Sequence, residues 1–269
     1  MPQSPHTPQS APLSRFTAWV SLLALTAGLS ALTGAGCALN VNLNANRLES
    51  PEATGELLHG SIDAGLTGSN TLIVASPGVS GAPVTTGWDR SNASARLSGN
   101  MGLFDRLDMG VKTSWNGPVI LQAKYQFLGA PELRARSGNV SMAVTFGAGV
   151  TEPSGDSTVA GSGTTSHTNL TLTTYDIAWI AGVRVAETWM IYGGGFLGST
   201  SFSGTINQSG AAVGALPVQG STTEAGGNLG LQLDSVLGAL KIEEAWVYAS
   251  VGGITQPGFY TGACLSYRF

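Results

Sequence analysis

From residue 58 onward, apolar and polar side chains alternate. Leu58, Gly60, Ile62, Ala64 and Leu66 form one parity, and His59, Ser61, Asp63 and Gly65 form the other. A period of two marks a strand with one greasy face. Ala93, Ala95, Leu97, Met101 and Leu103 oppose Ser94, Arg96, Ser98 and Asn100 in the same way. Next, Leu107, Met109, Val111 and Trp115 oppose Asp108, Lys112 and Ser114, and Val119, Leu121, Ala123, Tyr125 and Phe127 oppose Gln122, Lys124 and Gln126. Asn116-Gly117 between those two segments is the strongest short hairpin signal in the chain. Val140, Met142, Val144 and Phe146 continue the pattern, as do Tyr175, Ile177, Trp179 and Val183 against Asp176 and Arg184. A seventh segment, 189–203, carries Met190, Tyr192, Phe196 and Phe202 on its apolar parity, and an eighth sets Leu229, Leu231 and Leu233 against Glu224, Asn228, Gln232 and Asp234. In the ninth, 240–252, Trp246 and Tyr248 compete with Ala245, Val247, Ala249 and Val251 for the apolar face. The tenth ends with Leu265, Tyr267 and Phe269 alternating with Ser266 and Arg268.

Segments of about ten residues are long enough to cross a bilayer as tilted strands. The predicted fold is all-β, an antiparallel transmembrane up-and-down barrel of about ten strands, with eight or twelve as alternatives. Composition separates it from a soluble sandwich. Charged residues make only 10% of the chain, and the lysines are Lys112, Lys124 and Lys241. A sandwich turns its polar face to water and loads it with Lys and Glu, whereas these polar parities carry Gly, Ser, Asn, Gln and isolated charges. That suits an enclosed lumen. There Asp63, Asp108, Asp176, Glu224, Asp234 and Glu244 are expected to meet Arg96, Lys112, Lys124, Arg184 and Arg268. These charges either line an ion-selective pore or pair up and close it, and the cost of an unpaired buried charge favours closure. With twelve Lys and Arg against sixteen Asp and Glu, nucleic acid is not an expected partner.

The connections are uneven. Phe104–Arg106, Gly129–Gly138, Ala186–Thr188 and Leu237–Ala239 are short or moderate, while 68–90, 151–168 and 204–221 read as long low-complexity loops of Gly, Ser, Thr, Ala and Pro. Short turns on one side and long loops on the other are the asymmetry of an outer-membrane barrel, and an even strand count puts both termini on the periplasmic side.

Arg15 is the first charged residue, and Phe16–Leu32 (FTAWVSLLALTAGLSAL) is apolar or small before Thr33, Gly34, Ala35, Gly36 and Cys37. This reads as a secretory signal. It also resembles a bacterial lipoprotein signal, which implies acylation of Cys37, although Gly34 stands where that family usually has Leu. The alternative is conventional cleavage that leaves a free thiol. The expected organisation is a signal at 1–36, a periplasmic tether at 37–53 and a barrel at 54–269.

Phe269, with Tyr267 and Leu265 on its parity, resembles the terminal strand signal of bacterial outer-membrane β-barrel proteins. That resemblance implies the barrel assembly machinery as a partner during biogenesis and outer-membrane lipid afterwards. It identifies an architecture and not a subfamily.

Other motifs carry little. Gly193, Gly195 and Gly198 fit G-x-G-x-x-G, but no helix-forming stretch follows, so a dinucleotide site is not expected. Two cysteines exclude a four-thiolate metal site, and no cofactor is implied. His167 with Asp89 or Asp156 is a candidate base and orienter, because ten-stranded proteases of the omptin type use Asp and His at the extracellular rim. No omptin motif accompanies it. The function expected first is a non-enzymatic surface barrel that makes contacts through its extracellular loops; its ligand is not legible. A narrow small-solute channel is the alternative, and an omptin-like rim hydrolase the second.

Overall fold

The alternating segments become strands. The computed structural model describes residues 38–75, 85–159, 164–210, 214–251 and 254–269; the expected signal at 1–36 and Cys37 lie outside them. Its strands are β1 (Ala38–Asn44), β2 (Gly60–Ala75), β3 (Thr85–Phe104), β4 (Leu107–Ser114), β5 (Ile120–Leu128) and β6 (Val140–Thr151). They continue with β7 (Ser154–Val159), β8 (Thr164–Ala186), β9 (Trp189–Ser209), β10 (Gly214–Ser235), β11 (Gly238–Val251) and β12 (Ile254–Arg268). A single 3-10 turn, Glu132–Arg134, sits between β5 and β6.

All pairings are antiparallel. They run in chain order from β2 to β6, then directly to β8 and on to β12, and β12 returns to β2 with Arg268 opposite Ser61 and Ala263 opposite Leu66. The result is a closed ring of ten strands, as the alternation predicts. β7 is an addition that pairs with β8, and β1 pairs with the far half of β2, Ala38 opposite Ala75 and Asn44 opposite Ser69. Asn116, with a φ of 55°, makes the Asn-Gly turn between β4 and β5.

The ring turns an apolar surface outward. Leu97, Val111, Leu121, Phe146, Ile177, Ile191, Leu229 and Ile242 are all exposed on it. Exposed aromatics mark its borders: Phe104, Phe127, Trp189, Tyr267 and Phe269 stand beside the short turns, and Trp115, Tyr175, Tyr248 and Phe259 lie further along the strands. No soluble protein of this size leaves so continuous an apolar band in water, and a band with aromatic edges is what a transmembrane barrel presents to lipid.

One face differs from the sequence expectation, and another that it left open is decided. On β9, Met190, Tyr192, Phe196 and Phe202 are buried inside, and Trp189, Ile191 and Leu197 take the outer face. Both parities of that strand are apolar, so alternation did not decide between them. On β11 the large Trp246 and Tyr248 face out and the small Ala245, Val247 and Ala249 face in, where space is short. Glu244 goes out with them and accepts a hydrogen bond from Thr261 Oγ1 at 2.7 Å, so it is not part of the lumen set.

The segments read as long loops are largely strand. β2 and β3 run to Ala75 and from Thr85, and β8, β9 and β10 extend as hairpins well past the apolar band. Ser and Thr runs looked like loop, but β-branched Thr favours strands, and inward Leu170, Leu172, Phe202, Ile206 and Val218 keep period two through them. These five pack against Val41 and Leu43 of β1 and Leu72 and Val74 of β2, so the long-hairpin end of the ring closes over an apolar core.

Candidate functional site

The chain between β1 and β2 lies inside the ring. Ala45, Asn46, Arg47, Leu48, Glu49, Ser50, Pro51, Glu52 and Ala53 are all buried. This corrects the expected tether at 37–53: its described part is β1 followed by a plug that descends the lumen to the short-turn end. The barrel itself begins at Gly60 and not at residue 54. Ala38 therefore stands at the long-hairpin end, opposite Phe269, whose N–H and carbonyl both bond Gly60 at 3.1 Å. The expectation that the chain enters its barrel from the side of its C-terminus is corrected with it.

Asn46 sits where the last strand leaves the first. β12 pairs with β2 only as far as Ala263 opposite Leu66. Just beyond, Asn46 Oδ1 accepts from Gly68 N at 3.1 Å, and its Nδ2 donates to Tyr260 O at 3.2 Å and Glu243 O at 3.1 Å. One amide thus ties three strands together. A side chain at Gly68 would collide with the Tyr260 ring, a Cβ there meeting it at 2.5 Å.

Below Asn46, the N–H groups of Arg47 and Leu48 both point at the Glu243 carboxylate, at 2.6 and 2.8 Å. Leu48 has a φ of 52°, and this left-handed residue after Arg47 turns successive amides toward one anion, a nest. Asn228 Nδ2 donates to the same carboxylate at 2.8 Å. Arg47 itself reaches across, 2.7 Å from Asp176 Oδ2 and 4.4 Å above the Phe196 ring.

The next two acids of the plug meet wall cations. Glu49 accepts from Lys112 Nζ at 3.2 Å and lies 3.6 Å from Arg96, while Lys112 also bonds Asp176 at 2.8 Å. Arg96 donates to the carbonyls of Asn46 and Arg47. Glu52 takes Arg184 in a fork, Nε to Oε2 at 2.9 Å and Nη2 to Oε2 at 2.7 Å, plus Asn139 Nδ2 at 2.8 Å. Lys124 bridges Asp108 at 3.1 Å and the Glu52 carbonyl at 2.6 Å. Gln126 Oε1 receives the Ala53 N–H at 2.7 Å, and Asp108 receives that of Thr54.

Every lumen residue named from the sequence, Glu244 aside, is on the inside. Asp63 pairs with Lys241 at 3.2 Å, Glu224 accepts from Asn70 at 2.9 Å, and Asp234 joins Arg184 and Arg268, both at 2.6 Å. Arg268 also pairs with Glu132 at the short-turn mouth, where burial pushes the Glu132 carboxyl above its ordinary value and Arg268 pulls the other way. The sequence reading missed Arg47, Glu49, Glu52, Lys241 and Glu243. The available signal was the charge density of ANRLESPEA, three charges in nine residues of a chain that has only 10% overall. Spaces flanking the plug measure about 40 and 20 Å³, room for a few waters. A wider recess of about 660 Å³ opens at the short-turn mouth, beside Glu132, Arg136 and Arg268, and one of about 310 Å³ at the long-hairpin end, beside Thr86, Phe202 and Gln219.

Beyond the apolar band, the outward face of β7–β10 is mostly hydroxyl and amide, with Asp156 and His167 among them. Thr173, Ser201 and Ser221 form one row across the strands, Thr171, Ser203 and Gln219 the next, and Ser154, Asn169 and Thr205 a third. His167 Nδ1 lies 2.5 Å from Asp156 Oδ1 across β7–β8, both exposed on this open face. Asp89 lies on β3. No enclosing cleft surrounds the pair among the described residues, and no group of three or more His, Cys, Asp or Glu there is spaced for a metal. Gly193, Gly195 and Gly198 all lie within β9, with no helix after them.

No protein-family model matches the chain, and no curated protein matches it. Among solved structures it is similar to Ail, the attachment invasion locus protein of Yersinia pestis, at 12% identity over 79% of this chain and 100% of that one, with a TM-score of 0.30. Ail in complex with the heparin analogue sucrose octasulfate gives 10% identity over the same shares and a TM-score of 0.32. The toluene transporter TodX of Pseudomonas putida gives 8% identity over 85% of this chain and 74% of that one, with a TM-score of 0.21. The chain is an all-β antiparallel barrel on the evidence of its own strand register.

Proposed function

We propose that this protein is a closed barrel of the bacterial outer membrane, non-enzymatic, that acts by contact through the hairpins on its cell-surface side. The observation that carries this reading is the plug: residues 45–53 fill the lumen of a ten-stranded ring and leave spaces of tens of Å³. Such a ring has no standing path for a solute. The apolar band with its aromatic borders supports the membrane, and the exposed Leu265, Tyr267 and Phe269 support recognition by the assembly machinery. Lipid acylation at Cys37 remains part of the proposal, on the resemblance of its signal.

The chemistry of the hairpins narrows the contact. Apart from Arg15 in the leader and Arg90 on β3, every Lys and Arg of the chain lies in the lumen, in the plug or at the short-turn rim. The rows of Ser, Thr and Asn on β7–β10 offer hydrogen bonds without charge. A neutral polyhydroxylated surface such as polysaccharide fits them, and a polyanion does not.

The test has two arms. Purified full-length protein in planar bilayers is expected to show no steady conductance, and large stable channels would overturn the closed-barrel reading. Cells displaying the protein are expected to hold to neutral polysaccharide coatings equally well at about 0.01 M and about 1 M salt, across which the Debye length falls from about 30 Å to about 3 Å. Binding abolished by salt would overturn the uncharged contact.

A further inference from the structure

A lumen enclosed by ten strands is wider than wall side chains alone fill, and residues 45–55 occupy the surplus. Their hold on the wall is mostly polar. Glu49 and Glu52 supply the counter-charges of Lys112, Arg96 and Arg184, and the plug backbone supplies donors to Glu243, Gln126 and Asp108. The apolar share is Ala45, which packs with Ile180, Tyr192 and Val247, Pro51, which lies against Gly182, and the buried Leu48 and Ala53. No disulfide ties the plug to the wall, since Cys264 is a free thiol.

Those polar partners decide what the lumen becomes without the plug. Arg96 would lose Glu49, Lys112 and Arg184 would each keep one wall carboxylate, Asp176 and Asp234, but give up the plug's, and Glu243 would lose the N–H groups of Arg47 and Leu48; buried charges short of partners are strongly unfavourable. What they lose can be made good only by water. The wall is therefore built for two fillings, the plug or a hydrated column, and not for a dry void. β1 is the second attachment: Val41 and Leu43 sit in the apolar core at the hairpin end, so it must leave together with the plug for the path to open.

We propose that residues 38–55 are a displaceable gate, and that the barrel has a second, conducting state. With this segment out, a water-filled path lined by Arg96, Lys112, Arg184, Asp108, Asp176 and Glu243 joins the two ends and passes small hydrated ions. The inference rests on the proposed reading in requiring the barrel to sit in a bilayer.

The experiment compares three forms of the full chain in planar bilayers, each checked as a folded barrel by heat-modifiable migration. They are the parent, a deletion of residues 38–53, and the double substitution Glu49→Gln with Glu52→Gln, which keeps the plug but removes its two carboxylates. The deletion is expected to conduct steadily, at least about tenfold above the parent, and the double variant to open briefly and more often than the parent. A folded deletion barrel that stays closed overturns the gate. If the deletion does not fold, the double variant decides, and openings no more frequent than the parent's overturn it. Steady conductance by the parent contradicts the closed-barrel reading instead, and equal conductance of parent and deletion again overturns the gate.

Discussion

Asn46 and Gly68 meet where the first and last strands of the ring part, the Gly68 N–H donating to Asn46 Oδ1 at 3.1 Å while the same amide donates to Tyr260 and Glu243. Above this point β2 has exchanged β12 for β1 as its neighbour. Backbone groups at such a fork have no ladder partner, and an unpaired backbone group inside a membrane protein is costly. Asn46 is the one plug residue that answers on both sides of the seam.

Asn46→Ala removes those bonds with little loss of packing. Each buried group left unpaired costs about 1–3 kcal/mol. The variant is expected to unfold at distinctly lower denaturant than the parent and to lose heat-modifiable migration earlier on warming. An unchanged transition would show that water replaces the amide and that the seam does not depend on it.

Much of this was legible in the sequence. Alternation alone marks the ring strands from β2 to β12, because one face meets lipid and the other a polar lumen. Asp63, Arg96, Lys112, Asp176 and Arg184 could be set inside on parity. β9 and β11 defeated that rule for opposite reasons: β9 is apolar on both faces, and β11 sets large side chains against small ones, where size and not polarity chooses the face. The plug was illegible in another way. Residues 45–55 have no regular period, and their burial follows only from long-range pairing with Glu243, Lys112 and Arg184, nearly two hundred positions away at the furthest. The Ser and Thr runs mislead because low complexity resembles loop, while the inward Leu170, Leu172 and Phe202 among them keep the strand period.

Glu52 and Arg184 test whether the plug stabilises the closed barrel. Both are almost wholly buried and joined by a forked pair. Removing one partner of a buried pair strands the other and costs about 3–5 kcal/mol. Glu52→Ala is expected to lower stability by an amount of that order, and Glu52→Gln by less, since the amide oxygen still accepts from Arg184. The double variant Glu52→Ala with Arg184→Met is expected to recover much of the loss. Additive losses in denaturant titrations of Glu52→Ala, Arg184→Met and their double variant would contradict a coupled pair.

Phe269 closes the ring at the other end. Its N–H and carbonyl both bond Gly60, and its ring lies over that glycine, where a Cβ would come within 2.8 Å of it. A missing terminal residue leaves the seam between β12 and β2 shorter at its mouth and the assembly signal incomplete. Deletion of Phe269 is expected to reduce the yield of membrane-integrated, heat-modifiable barrel more than it lowers the stability of the fraction that does assemble. Equal yield from parent and variant would contradict this.

The direction of the plug gives the last prediction. Ala38 pairs with Ala75 beside the long hairpins, and the chain then descends through the lumen to Leu57 and Leu58, exposed at the short-turn end near Phe269. If the hairpins face the cell exterior, as proposed, the chain enters its barrel from outside. Asn40 is exposed in β1 on that side, opposite Ile73. Asn40→Cys is therefore expected to react with a membrane-impermeant maleimide on intact cells, whereas Leu57→Cys reacts only after the outer membrane is opened. Each is read against the parent chain, so that any signal from Cys37 is subtracted; Cys264 is buried and stays silent. The reverse pattern, Leu57→Cys labelled on intact cells and Asn40→Cys protected, would invert the barrel in the membrane. It would also move the Ser and Thr rows of β7–β10 to the periplasmic side, where they could not meet another cell.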